Sequence, residues 1–94
     1  MLQYYKKTNG MNNTERLTRL AELAIETYNL ENGDNAREVS LGTTLDIEGK
    51  ETYAFTKNSI VFWDGSTKDF TTLNEEDTLT IYQTISDEYG VEVY

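Results

Sequence analysis

Carboxylates are the most numerous ionisable side chains in this sequence, because Asp and Glu together number 17. Two pairs lie close in the sequence pattern, Asp46 with Glu48 and Asp64 across a predicted hairpin from Glu51. Such a pair can divide acid and base roles, but an acidic chain of this length offers pairs by chance. The chain has no histidine, the usual acid–base catalyst near neutral pH, and no cysteine. These residue types predict a protein that is not an enzyme.

Metal and cofactor sites are not predicted either. Without His or Cys, a zinc site of the usual kind has no ligands. Asp34-Asn35 and Glu75-Glu76-Asp77 do not match the ligand spacing of a calcium loop, and three acids in a row suit the first turn of a helix. The six glycines are isolated, so no glycine-rich loop can cradle a phosphate. We therefore expect no metal and no cofactor.

The net charge of −9 is unevenly distributed along the chain. Residues 1–11 carry Lys6 and Lys7 and no acid, whereas residues 69–94 carry seven acids and no base. A surface of one sign attracts a partner of the other sign and repels nucleic acid and anionic membranes. Acidity of this kind also keeps a small protein soluble without any further role. The acidic surface is therefore either functional or only solubilising. If it is functional, we expect a protein partner with a basic surface and no direct binding to nucleic acid or membrane.

The length of 94 residues fits one domain. Residues 1–11 are predicted to be a flexible N-terminal extension, and residues 12–94 a single α+β domain. The N-terminus lacks the apolar run of a signal peptide, and the longest purely apolar run, residues 60–63, is far too short to cross a bilayer. These features predict a cytoplasmic protein.

The first helix is predicted from its caps and its apolar spacing. Asn12 can cap it, and Glu15 three residues later can complete a capping box. Asn32-Gly33 supplies the left-handed residue at which helices stop. The predicted buried stripe comprises Leu17, Leu20, Ala21, Ala24 and Tyr28, widened by Leu23, Ile25 and Leu30.

The second helix has two alternative starts. Either Thr72 with Glu75 or Asn74 with Asp77 fits a capping box, and Gly90 ends the helix. Several β-branched residues lower its helix propensity, so a strand competes, but the caps and spacing favour a helix. Its predicted buried residues are Leu79, Tyr82, Ile85 and Tyr89, with Ile81 beside them.

Strands are predicted between the helices, where the apolar period changes to two. Residues 39–47 alternate as one half-buried strand, and a turn at residues 48–50 leads to a strand over 51–56 with Tyr53 and Phe55 on one face. Residues 57–58 fit a two-residue hairpin loop, and residues 59–63 form the central strand.

Asp64-Gly65 is the strongest hairpin signal and predicts a two-residue type I′ turn, with positive φ at both positions. A short edge strand is expected over residues 66–70. Residues 91–94 alternate like a final short strand or an ordered tail. The predicted fold is therefore α+β: an antiparallel β-meander of three to four strands with two helices packed on one face.

This element order resembles the outline of the double-stranded-RNA-binding domain. Those domains present basic residues at the second helix to neutralise phosphates. Here the predicted second helix carries five acids and no base, which removes the electrostatic contribution that dominates nucleic-acid affinity. The departure argues against direct nucleic-acid binding.

A non-catalytic, protein-binding module is the function that these features favour. Small size, strong acidity and an α+β outline resemble the class of phage-encoded anti-restriction and anti-CRISPR inhibitors, in which an acidic face would occupy a basic nucleic-acid-binding surface. Aromatic residues among charges are typical of binding hot spots. Trp63 can either cover the edge of the core or anchor an interface. The predicted partner-binding residues are Asp64, Asp69, Glu75, Glu76, Asp77, Asp87, Glu88, Glu92, Tyr89 and Tyr94.

The alternative function belongs to a different class. An unprotected edge strand pairs readily with another chain, so the protein could be an assembly accessory that oligomerises through its β-edge or through residues 91–94. A protein-binding inhibitor is expected to be a monomer or a homodimer.

Overall fold

A computed structural model describes residues 11–93, so Tyr94 and nearly all of the predicted N-terminal extension lie outside the described residues. It contains two α-helices and one antiparallel sheet, which confirms the α+β prediction. In chain order the elements are α1 (Asn13–Asn32), β1 (Val39–Ser40), β2 (Asp46–Ile47), β3 (Lys50–Phe55), β4 (Ser59–Phe62), β5 (Thr67–Asp69), a 3-10 turn (Phe70–Thr72) and α2 (Glu75–Tyr89).

The sheet is a meander in the order β1-β3-β4-β5, with β2 also paired to β3. All pairs are antiparallel. Because β4 occupies one edge of β3, both β1 and β2 lie along the other edge. The antiparallel meander is therefore as predicted, but it has five short strands where three to four were expected.

The prediction of a single strand over residues 39–47 is wrong, because the segment leaves β3 between β1 and β2. Gly42 has a φ of 80°, a left-handed conformation that interrupts an extended strand. Backbone bonds still tie the segment on both sides of the break: Leu41 N–H donates to Tyr53 O at 2.9 Å, and Thr52 N–H donates to Leu45 O at 2.9 Å. The segment therefore forms two short strands and a loop.

The turns between β2 and β3 and between β4 and β5 have different backbone conformations. At the β2–β3 turn, Glu48 (φ 54°) and Gly49 (φ 83°) both have positive φ, as a type I′ turn requires. The predicted type I′ turn at Asp64-Gly65 is wrong, because only Gly65 has positive φ, at 87°. Phe62 N–H donates to Ser66 O at 2.9 Å, which closes a three-residue loop over residues 63–65. Trp63 consequently lies in the loop.

Both helices begin and end as their caps predict. Asn12 and Glu15 form the capping box of α1, and Gly33 ends it at a φ of 60°. Of the two alternatives for α2, the Asn74 side chain is the cap, because its Oδ1 accepts the Asp77 N–H at 2.7 Å. Gly90 ends α2 at a φ of 65°. Neither described helix has an apolar run long enough to cross a bilayer.

The core lies between the helices and one face of the sheet. It contains Leu17 and Leu20 of α1, Ile81 and Ile85 of α2, and inward-facing strand residues such as Ile60. Two predicted core positions are wrong: Leu30 is 86% exposed and Leu79 is 47% exposed. On α2 the buried stripe runs instead through Thr78, Ile81 and Ile85.

The opposite face of the sheet, hereafter the outer face, carries side chains that alternate with those of the core. A β-bulge at Tyr53 separates the pairs Thr52↔Phe62 and Ala54↔Val61. Phe55 is fully buried in the core, whereas Tyr53 is half-buried and contacts Trp63. Because the bulge breaks the alternation of β3, the prediction that Tyr53 and Phe55 share one face is wrong.

Residues 91–93 form an ordered tail and no strand. Val93 is buried, and its N–H donates to the Tyr82 hydroxyl at 3.1 Å. The guanidinium of Arg16 lies 5.0 Å from the centre of the Tyr82 ring and donates to Val93 O at 3.4 Å. The tail is therefore held against both helices.

Candidate functional site

The solvent-facing stripe of α2 places an acid at each end. Glu76, Thr80, Gln83 and Asp87 recur at spacings of three and four residues, so they lie in one line along the helix. Glu76 and Asp87 are both exposed and are separated by about 16 Å along the helix axis. Gln83 Nε2 donates to Asp87 Oδ1 at 2.9 Å, which fixes one carboxylate oxygen. We call these four residues the α2 stripe.

The remaining acids of α2 point to either side of the stripe. Glu75 accepts a hydrogen bond from Asn13 Nδ2 at 2.9 Å, so it faces α1. The Glu88 carboxylate lies against the Cα of Gly42, so it faces the loop between β1 and β2. Asp77 is half-buried, and its backbone N–H donates to the side chain of the N-cap residue Asn74. The five acids of α2 therefore spread over three sides of the helix.

Three other predicted binding residues lie elsewhere. Asp64 is in the β4–β5 loop, Asp69 is exposed at the end of β5, and Glu92 is exposed in the tail. Tyr89 packs inward, with its ring edge-on to Phe55 at 5.7 Å and its hydroxyl donating to the backbone oxygen of Ser40. Burial, followed by the nearby Glu88 charge, raises the pKa of Tyr89. Tyr94 lies outside the described residues.

Asp64 already has partners within the protein. Its Oδ1 accepts hydrogen bonds from the hydroxyl and the backbone N–H of Ser66, and its Oδ2 lies 3.1 Å from Lys50 Nζ. The Ser66 hydrogen bonds, followed by Lys50, lower the pKa of Asp64 from its ordinary 3.8 to about 2. Its charge is therefore partly neutralised.

One member of each carboxylate pair singled out in the sequence has a cationic partner. Asp64 interacts with Lys50, and Glu48 lies 3.4 Å from Lys68 Nζ, so each has a cationic partner. Within residues 11–93, no group of three acids converges to hold a metal ion.

Two salt bridges, Lys50–Asp64 and Lys68–Glu48, are the only ones among the described residues. Neither involves α2 or the tail. In the part of the chain that the structure describes, therefore, no acid of residues 69–93 is neutralised by a salt bridge.

An exposed aromatic pair lies on the outer face. The rings of Tyr53 and Trp63 are stacked, with centroids 4.7 Å apart and planes 30° apart. Although one ring face is covered by Tyr53, Trp63 remains 66% exposed. A cleft of about 120 Å³ adjoins the pair and is lined by Ser40, Gly42, Thr43, Thr44, Tyr53 and Trp63.

Acidic residues lie beside this pair, and one of them contacts it directly. The Tyr53 hydroxyl donates to Glu38 Oε2 at 3.0 Å, and this hydrogen bond raises the pKa of Tyr53. The backbone N–H of Trp63 donates to the backbone oxygen of Glu51 at 3.0 Å, and Glu51 pairs across the strands with Asp46. All three acids are exposed. We call Glu38, Asp46, Glu51, Tyr53 and Trp63 the aromatic–acidic patch.

Another cleft, of about 710 Å³, lies at a different place, between α1 and the β3–β4 turn. Its charged lining mixes Arg37 and Lys57 with Glu22 and Glu26. Unlike α2, this cleft therefore carries charges of both signs.

Comparison of the chain with protein-family models gave no match. Comparisons with curated proteins and with solved structures gave none either. The site must therefore be interpreted from its own geometry.

Sequence reasoning missed the aromatic–acidic patch as a unit. The sequence left open whether Trp63 covers the edge of the core or anchors an interface, and it predicted that Tyr53 and Phe55 share one face. The bulge at Tyr53 and the three-residue loop at Trp63 bring the two rings together, and neither feature has a clear sequence signal. The Asp46–Glu51 pairing follows from the β2–β3 turn, which could have revealed it.

Proposed function

We propose that this protein is a small, non-catalytic module that binds a protein partner through the α2 stripe and the acids beside it. The partner surface is basic and is one that binds nucleic acid, so the module acts as an inhibitor by occupying that surface. Inhibitors of the anti-restriction and anti-CRISPR type are the class with this chemistry. The observation that supports the proposal is an exposed helix face with acids at both ends and no base.

The charge balance of the C-terminal part of the chain supports this function. Residues 69–94 contain seven acids and no base. A protein that used acids only for solubility could intersperse them with bases, as most surfaces do. Unneutralised charge of one sign destabilises a compact protein but accelerates association with an oppositely charged surface.

The spacing of the acids is compatible with a phosphate-binding surface. Successive phosphates of one DNA strand rise by about 3.4 Å along the duplex axis, so the roughly 16 Å from Glu76 to Asp87 equals the axial rise of about five of them. Leu79, which is 47% exposed, lies beside the stripe and offers an apolar contact to the same partner. A basic surface shaped for a nucleic-acid backbone would thus meet carboxylates and one apolar side chain.

Affinity capture from the lysate of the native host tests this proposal. The immobilised baits are the wild type, the double variant Glu76→Lys/Asp87→Lys, and the control Glu26→Lys/Glu31→Lys. The control makes the same charge change at exposed acids of α1. Lysine is unfavourable in the first turn of α2 and favourable in its last turn, so these effects offset and α2 should stay folded.

We expect the wild type and the control to retain a protein that the α2 variant loses. Retention should also fall as salt rises, because salt screens exposed charges. Equal retention by the α2 variant and the wild type would contradict the proposed surface.

A further inference from the structure

We propose that the aromatic–acidic patch binds an arginine side chain of the protein partner. This inference rests on the proposed function and adds a second contact surface to it, on the outer face of the sheet. The guanidinium would stack on the Trp63 indole and donate hydrogen bonds to carboxylates of the patch.

Trp63 offers an open aromatic surface for such a cation. Tyr53 stacks on one side at 4.7 Å, and the indole is still 66% exposed. Cations are attracted to aromatic faces, most strongly to that of tryptophan, and tryptophan is enriched among the residues that dominate protein interfaces. The adjoining cleft has room for a small group, since its volume of about 120 Å³ corresponds to roughly four water molecules.

One acid of the patch is held in place by the protein itself, and the other two repel each other. Glu38 Oε2 accepts the Tyr53 hydroxyl at 3.0 Å, so its carboxylate is fixed beside the aromatic pair. Asp46 and Glu51 are direct cross-strand partners, and like charges in that relation destabilise a sheet. Neither these two nor Glu38 forms a salt bridge with any described residue. A bound cation would relieve this repulsion.

Arginine suits this arrangement better than lysine does. Its guanidinium is planar and weakly hydrated, so it stacks on an aromatic ring and donates to a carboxylate at the same time. The ammonium of lysine is a compact, strongly hydrated point charge that gains less from an aromatic face. A preference for arginine over lysine at equal charge therefore distinguishes this site from general attraction to an acidic protein.

Trp63 is the only tryptophan in the chain, so its fluorescence reports on the patch directly. The full chain is titrated with capped tetra-arginine and, separately, with capped tetra-lysine, under excitation that tyrosine does not absorb. We expect a saturable change in Trp63 emission whose midpoint lies at a several-fold lower concentration for tetra-arginine. No saturable change, or equal midpoints for the two peptides, would overturn the proposal.

Glu38→Gln and Trp63→Phe test whether the binding is at the patch, and Glu26→Gln is the charge-matched control. Glu38→Gln should raise the tetra-arginine midpoint several-fold, whereas Glu26→Gln, which removes one exposed charge from α1, should change it little. Equal effects of the two substitutions would mean that only net charge matters. Trp63→Phe should bind tetra-arginine more weakly than the wild type does. Because this variant lacks the fluorescent reporter, its binding is measured by calorimetry, and circular dichroism verifies its fold.

The capture experiment separates failure of this inference from failure of the proposed function. If capture depends on Glu76 and Asp87 but Trp63 does not respond to tetra-arginine, the α2 surface stands and the patch proposal falls. If Trp63 responds as expected but capture is unaffected by the α2 variant, the patch stands and the α2 surface falls.

Discussion

Individual carboxylates in this protein have different environments despite their similar exposure. Asp64 is tied to Ser66 and Lys50, Glu48 is paired with Lys68, and Glu76 has no described cationic partner. The sequence cannot separate these cases, because the partners come from other strands. A carboxylate without a local partner is the more available one for an external cation.

The pKa of Asp64 predicts a pH-dependent contribution to stability. The folded protein holds this pKa at about 2, below the ordinary 3.8, so the unfolded chain takes up the proton more readily. The stabilising effect is therefore present above about pH 4 and is lost as the pH falls towards 2. The free energies of unfolding of the wild type and Asp64→Asn should differ above that range and converge below it. Denaturant unfolding at several pH values measures this, and a pH-independent difference would contradict it.

Gly42 should be more sensitive to substitution than Gly33, although both have positive φ. A left-handed conformation costs a non-glycine residue about 1–2 kcal/mol. A methyl group at Gly42 would also collide with the Glu88 carboxylate, whereas Gly33 faces open space. Urea unfolding should show a larger loss for Gly42→Ala than for Gly33→Ala, and Glu88→Ala should remove the excess. Equal losses would show that Glu88 moves aside freely.

At the scale of elements, α2 carries the proposed surface and depends on its N-cap. Asn74 accepts the Asp77 N–H, so Asn74→Ala should lower the free energy of unfolding by about 1 kcal/mol. Thr72 lies before the helix, and its hydroxyl donates to the exposed backbone oxygen of Asp69. Thr72→Ala should therefore cost less in the same thermal or denaturant assay. The reverse order would assign the cap to Thr72.

Local signals made the helices predictable, whereas the course of residues 39–47 along the edge of the sheet was not predictable. The caps at Asn12, Gly33 and Gly90 act within a few residues, so the sequence alone locates both helices. The break at Gly42 depends on contacts with β3 and α2, which are distant in sequence. Alternation over residues 39–47 holds for Val39, Leu41 and Ile47, which are buried, but it cannot show that the backbone leaves the sheet.

The candidate site was predictable to a similar extent. Acids on α2 follow directly from the sequence, and helix periodicity aligns Glu76 with Asp87. The outward position of Leu79 was missed because the stripe could be drawn through it or through Thr78 with similar spacing. Burial of Thr78 decides between them, and its hydroxyl is satisfied by donating to the Asn74 backbone oxygen at 2.8 Å.

At the scale of the whole molecule, the β5 edge of the sheet is short and carries a charged side chain. β5 has only three residues, and Lys68 is turned to a salt bridge with Glu48. Short edge strands with charged side chains resist edge-to-edge association. This weakens the alternative of an assembly protein that grows through its β-edge.

We therefore expect the protein to be a monomer or a homodimer in solution. Light scattering at two widely separated concentrations should give a constant mass of 10.8 kDa or twice that value. A mass that rises with concentration to larger assemblies would favour the assembly role.

Competition with nucleic acid for the captured partner tests the central claim most directly. The purified partner is loaded with a labelled DNA duplex, and release of the duplex is followed as the wild-type protein is added. We expect the wild type to displace the duplex, and Glu76→Lys/Asp87→Lys to displace it only at much higher concentration. A stable complex of partner, duplex and this protein would contradict the claim that α2 occupies the nucleic-acid-binding surface.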